Sequence, residues 1–363
     1  MNSRLAKVAL LSVSAALALI VAEASLRLFF HAAPQLELDI YRKQDGLLLL
    51  RQNLVRRHVT RQWDVVVRTN SEGWRDQERG TSGATVLGLG DSFAFGCGVQ
   101  AQESFYSLVE QSLGDSLINA GVPGTATVDQ ERLLEALIPR YRPRFVVLAF
   151  FVGNDFTETG FGGAERLEVV DGLLELKPIE GQDARTSWPR RLAGRSHLLQ
   201  LLRAVQFRME GSAQSGSHPR TWDAWMREFA QVHLRQPSYR AEEAIRATLA
   251  SLDRIADRCS RDGIGLAVMA IPRSFQIDGD EREEMRAALG LTLEDLDMDR
   301  PQRVLHEWAA RRDVVLVDLL DDFKARHAAG ARLYYSPDAN LTTQGHQAAA
   351  AALAAELAKN ANL

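Results

Sequence analysis

The sequence predicts an α/β fold: about five parallel strands forming one sheet, covered by helices on both faces. Two observations carry this. Short apolar runs alternate with stretches of helical periodicity through most of the 363 residues, and the apolar content of 46% is enough to fill a core on each side of such a sheet. The first repeat reads "TVLGLGDS" as strand and "SFYSLVEQSLG" as helix, followed by "SLINAG" as strand and "VDQERLLEALIPRY" as helix. "RFVVLAFFVGND" is the third strand, and later "YRAEEAIRATLASLDRIADRCSRDG" is a helix leading into the strand "IGLAVMAI". A helix over Gln302 to Arg311, the strand "VVLVDLL" and an Ala-rich helix from about Thr343 close the chain.

Two segments depart from this rhythm. Residues 34–83 are polar and faintly basic, with "WDVVVRTNSEGWR" alternating like a strand before a turn at Asn70, Ser71 and Gly73, so they are expected to form an extension on the main domain, residues 84–363. Between about 156 and 237 lies an insertion, a candidate lid. Within it "RLEVVDGLLEL" carries an Asp-Gly hairpin signal, "SHLLQLLRAVQF" reads as an amphipathic helix, and "GSAQSGSHP" reads as a linker.

The N-terminus is a targeting segment over residues 1–33. After Arg4 and Lys7 come fifteen uncharged residues from Val8 to Ala22, and apolar character resumes past Glu23 and Arg27 as far as Phe30. Ala22-Glu23-Ala24 fits a small-x-small cleavage pattern, whereas an uncleaved anchor would place Glu23 and Arg27 at the outer interface. The anchor is favoured over the removed signal peptide, and both over a buried core helix. Either targeting route puts the main domain outside the cytoplasm.

A net charge of -4 with no long basic block gives a phosphate backbone little to bind, so nucleic acid is not an expected partner. Cys97 and Cys259 make no metal-binding or disulfide pattern and read as core residues. Gly88-x-Gly90 follows the first strand, but position 93 is Phe93 and no Gly-Lys-Ser/Thr follows, so nucleotide fingerprints fail. No cofactor is expected.

In an open parallel sheet the working residues sit at the carboxyl ends of the strands. Ser92, Gly124, the pair Asn154 and Asp155, and Asp338 all fall at that edge. Ester chemistry needs a nucleophile, a base and preorganised oxyanion donors. Ser92 can be the first, and the backbone N–H groups of Ser92 and Gly124 with the Asn154 amide can be the donors.

Gly90-Asp91-Ser92, the "NAGVPG" run ending at Gly124, and Gly153-Asn154-Asp155 resemble the first three blocks of the SGNH (GDSL-type) hydrolases. The resemblance implies a three-layer flavodoxin-like fold over roughly Thr85 to the C-terminus. It also implies Ser92 as nucleophile, Gly124 and Asn154 in the oxyanion hole, and a late Asp-x-His or Asp-x-x-His. That fourth block reads "SPDANLTTQGHQAAA": Asp338 stands on the acid and His346 on a second histidine, but Asn340, or Leu341 in the longer spacing, stands where the base belongs. An amide is not basic near neutral pH. Candidate substitutes are His346, Asp338 acting directly, and His197 or His218 from the insertion. A bracing role for His346 and a capping role for Ser92 are the plain alternatives. Trp63, Trp74, Trp222 and Trp225 are candidates for a carbohydrate platform, though packing is the commoner use of tryptophan.

The expected function is ester hydrolysis or acyl transfer on an acylated envelope glycan or lipid. The alternative is a catalytically impaired binding or scaffolding domain in envelope polysaccharide biogenesis.

Overall fold

The computed structural model describes residues 3–29, 34–35, 38–60, 62–78, 86–114, 116–170, 172–176, 196–210, 227, 229–335 and 340–359. The uncharged N-terminal run becomes α1 (Ser3–Phe29), in which Ala6–Leu28 is long and apolar enough to cross a membrane. Short strands follow: β1 (Pro34–Gln35), β2 (Tyr41–Gln44), β3 (Leu47–Leu50), β4 (Val55–Val59) and β5 (Asp64–Arg68). β2 and β3 pair antiparallel across Asp45-Gly46, both at positive φ (52° and 78°), which is the twist a two-residue hairpin needs. Of these strands only β5 is legible in the sequence, because "YRKQ" and "LLLL" show no alternation.

The central unit runs β6 (Val86–Leu89), α2 (Ser92–Phe95), α3 (Phe105–Leu113), β7 (Leu117–Asn119), α4 (Thr127–Tyr141), β8 (Phe145–Phe151) and α5 (Asp155–Glu158). The insertion supplies β9 (Leu167–Val170), β10 (Leu173–Leu176) and α6 (His197–Glu210). β9 and β10 form the antiparallel hairpin expected from Asp171-Gly172, with Asp171 itself outside the described residues. The α/β pattern then resumes with α7 (Tyr239–Asp262), β11 (Gly265–Ile271), α8 (Ser274–Ile277), α9 (Gly279–Leu289), α10 (Arg300–Arg312), β12 (Val315–Asp318), α11 (Leu320–Ala328) and α12 (Thr343–Lys359).

Helices α8, α9 and α11 are additions to the sequence reading. The apolar run "VVLVDLL" divides because the Asp318 carboxylate accepts from Leu320 N at 3.0 Å, ending the strand and starting α11.

Five strands form one parallel sheet in the order β12-β11-β8-β6-β7. Counted along the chain this is 2-1-3-4-5, the flavodoxin-like order, with its switch point between β6 and β8. Successive residues of β8 enter opposite layers. Val146, Leu148 and Phe150 join a core with α4, α7 and α10, while Val147, Ala149 and Phe151 join one with α3, α11 and α12. Both faces are therefore buried, as the apolar runs require. Leu48, Leu50, Val67 and Trp74 of the N-terminal segment enter the first of these cores.

The ring of Tyr106 lies across β6, its hydroxyl donating to Leu89 O at 2.7 Å and Val147 O at 2.9 Å. A Cβ on Gly88 would meet that ring at 2.7 Å. Gly88→Ala is therefore expected to lower stability by about 1 to 3 kcal/mol through overpacking. Urea denaturation of the variant checks this, and an unchanged midpoint would contradict it.

Candidate active site

Ser92 is the first residue of α2, immediately beyond β6, and its side chain is half-buried. The turn that presents it is tightly made. Gly90 has φ +148°, and a Cβ there would stand 2.8 Å from Ala94 Cβ, so the position demands glycine. Asp91 caps the helix by accepting from Phe93 N at 2.9 Å, and Gly96 ends it in the left-handed conformation. Ser92 Oγ has no hydrogen-bond partner among the described residues.

The far side of this turn is held by Arg75, a residue that no local sequence pattern marks. Its guanidinium is buried, donates to Phe95 O at 3.0 Å, Gly96 O at 2.5 Å and Val99 O at 2.6 Å, and lies over the Phe95 ring. Burial pulls its pKa down to about 10, so it still carries its charge at neutral pH.

The loop bearing Gly124 follows β7 and packs on the Ser92 turn, with Val122 N donating to Gly90 O at 3.0 Å. Gly124 has φ +80°, and a Cβ there would meet Leu174 of the insertion hairpin at 2.9 Å and Leu167 at 3.7 Å. The β9–β10 hairpin thus packs over this part of the strand edge.

Asn154 follows β8 and faces the Ser92 turn across the switch point. Its Nδ2 donates to Asp91 Oδ2 at 3.4 Å and to Glu158 Oε2 at 3.1 Å. Asp155 turns inward and accepts from Phe151 N at 2.7 Å. Burial raises Asp91 to about 6 and holds Asp155 well above the carboxylate range, with the charge of Asp91 adding to the effect. Asp155 is therefore the neutral member of this pair.

The fourth block is split. Asp338 lies outside the described residues, as do His218, Trp222 and Trp225. Asn340 is half-buried, its carbonyl accepts from Tyr335 N at 2.8 Å, and its Oδ1 has no partner among the described residues. His346 sits in the first turns of α12, fully buried, where Nδ1 accepts from Phe105 N at 3.2 Å and the ring packs on Phe105 at 5.4 Å between centroids. Burial, aided by the positive charge of Arg75, drives its pKa down to about 3, so the ring is neutral at physiological pH. With Nδ1 accepting, the proton is assigned to Nε2, which has no partner among the described residues.

His197 starts α6 against Glu23 of α1. Trp74 is a packing residue, donating to Tyr141 OH at 2.8 Å. Trp63 is buried between His58, whose Nδ1 accepts its indole N–H at 3.2 Å, and Tyr335 at 5.1 Å between centroids. Trp63 and His58 of the N-terminal strands thus meet the loop that leads to Asp338, a juxtaposition invisible at a separation of more than 270 residues in the chain.

Replacing Arg75 by Met should cost about 3 to 5 kcal/mol, since three carbonyls lose a buried charged donor. Lysine should restore only part of this because a single ammonium cannot reproduce the fork. Chemical denaturation of both variants measures it. Asp155→Asn gives a pH test. The folded state holds this proton while the unfolded carboxyl releases it above about pH 4. Wild-type stability therefore falls with rising pH on this account, and the melting temperature of Asp155→Asn relative to wild type should climb from pH 4 to pH 8. A difference independent of pH would refute the neutral assignment.

A family model described as the SGNH hydrolase-like domain of the acetyltransferase AlgX matches residues 222–363. None of the curated protein sequences matches the chain. Among solved structures, the psychrotrophic esterase EstA from Pseudoalteromonas is 15% identical with a TM-score of 0.38, covering 77% of this chain and 100% of its own. A two-domain esterase active on acetylated mannans is 13% identical with a TM-score of 0.40, covering 77% of this chain and 50% of its own. An acetylxylan esterase from Geobacillus stearothermophilus is 14% identical with a TM-score of 0.39, covering 77% and 96%. The family model thus covers the C-terminal part of the chain, which is similar to an SGNH hydrolase-like domain, and the parallel sheet of the whole runs in flavodoxin-like order.

Proposed function

We propose that the chain is a membrane-anchored, extracytoplasmic SGNH-type serine ester hydrolase or O-acyl transferase acting on an acylated envelope glycan or lipid. One observation carries this reading: the half-exposed Ser92 stands at the topological switch point, beside Asn154 and with the Gly124 loop packed against its turn. Arg4 and Lys7 precede the apolar span, which favours export of everything that follows. That the matched family model is named for an acetyltransferase favours acyl transfer among the ester chemistries.

In this mechanism Ser92 Oγ attacks the ester carbonyl, and the oxyanion is met by the backbone N–H groups of Ser92 and Gly124 and by Asn154 Nδ2. The Asn154 amide must loosen from Glu158 to do so, and the hairpin must lift from Gly124. The Ser92 proton passes to Asp338, the acid of the fourth block, and then to the departing alcohol. Water or a glycan hydroxyl next attacks the acyl-serine, giving hydrolysis or transfer. A carboxylate is a weaker general base than the imidazole this task usually employs, so turnover is slow. His346 serves as a brace, since a neutral ring whose Nδ1 already accepts from Phe105 has little capacity to take up a proton.

A second reading, an acyl-glycan-binding or scaffolding domain without turnover, is favoured by the same engagement of His346 and by Asn340 in the histidine position. Covalent labelling by an organophosphonate and hydrolysis of p-nitrophenyl acetate by the full-length protein separate the two. The enzyme reading expects labelling that disappears in Ser92→Ala, slow turnover, and a gain of about 100-fold or more in Asn340→His, the scale of general-base catalysis. Absence of labelling in both wild type and Asn340→His would leave the binding domain.

A further inference from the structure

The apolar span Ala6–Leu28 is 23 residues, about 34 Å of helix, enough for a hydrocarbon core of roughly 30 Å, and its uncharged part runs from Val8 to Ala22. Glu23 and Arg27 interrupt the candidate span Ala6–Leu28 toward its C-terminal end. There Glu23 is saturated with donors: Arg27 Nε at 2.7 Å from α1 itself, and Ser196 Oγ at 2.9 Å, His197 N at 3.0 Å and Leu198 N at 2.9 Å from the start of α6. A carboxylate and a helix N-terminus would each be costly near lipid, and each satisfies the other.

From this joint α6 packs along α1 and reaches β1. Leu199, Leu202 and Val205, spaced to share one side of a helix, are 43%, 54% and 47% exposed. On α1, Leu17, Ile20, Val21 and Leu28 are likewise exposed.

We infer that α6 is a membrane-interface helix whose Leu199, Leu202 and Val205 face enters the leaflet at the C-terminal end of α1, held there by the Glu23 joint. The occupant of this face is lipid because α6 starts on Glu23, a residue inside the candidate span, and packs along the helix whose own apolar side chains are exposed. The inference rests on the reading of α1 as an uncleaved anchor. It also gives the insertion a second role: the segment that supplies the hairpin over Gly124 is seated on the bilayer.

The test is an environment-sensitive fluorescent amino acid placed singly at Leu17, Leu202 or Leu293 of the full chain, reconstituted into vesicles of phosphatidylcholine and phosphatidylglycerol with brominated acyl chains. Leu293 is 67% exposed on the main body and serves as the apolar control. Quenching at 202 should resemble that at 17 and exceed that at 293 by at least twofold, and Glu23→Gln should reduce it at 202 without changing it at 17. Quenching at 17 with none at 202 beyond that at 293 would overturn the inference alone. No quenching at either would overturn the anchor as well. An emission shift at 202 that is insensitive to bromolipid and vanishes at one chain per nanodisc would assign the face to a second copy, which also overturns it.

Discussion

The site depends first on a buried guanidinium. Three backbone carbonyls of residues 95 to 99 converge on Arg75, which donates to all of them, while Gly96 O also accepts from Val99 N at 3.3 Å. By meeting all three, Arg75 fixes the segment that follows α2 and hence the position of Ser92. Burial is the main cause that keeps the His346 ring neutral, and the same charge adds to it. A residue outside the five-stranded sheet therefore secures the serine turn and contributes to the state of the histidine.

The N-terminal segment acts in the same way at a second point. Lys43 Nζ donates to Ala164 O at 3.0 Å and Leu167 O at 2.6 Å, and Tyr41 N donates to Gly172 O at 2.9 Å. These bonds hold the insertion hairpin down where Leu167 and Leu174 cover Gly124. Serine turn and hairpin are thus both secured by residues between 41 and 75. Movement of this segment would reach both sides of the site together.

The electrostatics of the strand edge are those of proton retention. Asp91 and Asp155 are buried near one another, so the second charge is penalised by the first as well as by desolvation, and Asp155 keeps its proton. Asn154 is oriented between Asp91 and Glu158, which fixes where its N–H groups point. Both of these contacts are to carboxylates, so the amide is engaged in this structure.

The sequence by itself determined the parallel sheet, since strands buried on both faces must be apolar at nearly every position, as in "FVVLAFF". It also determined the turn residues at the strand ends, because Gly90 and Gly124 occupy backbone conformations that other residues resist, and local signals such as Asp171-Gly172 marked their own hairpin. Polar or patternless strands such as β2 and β3 escaped it, because their pairing comes from a neighbour and not from their own periodicity. Only the tertiary structure decided the state of His346, whose neutrality follows from burial beside Phe105 and Arg75, residues 241 and 271 positions away in the chain. It alone revealed the Arg75 clamp, the Leu174 cover over Gly124 and the Glu23 joint to α6. Each is a contact between distant segments, and the energy of such a contact depends on burial and on partners that no local pattern encodes.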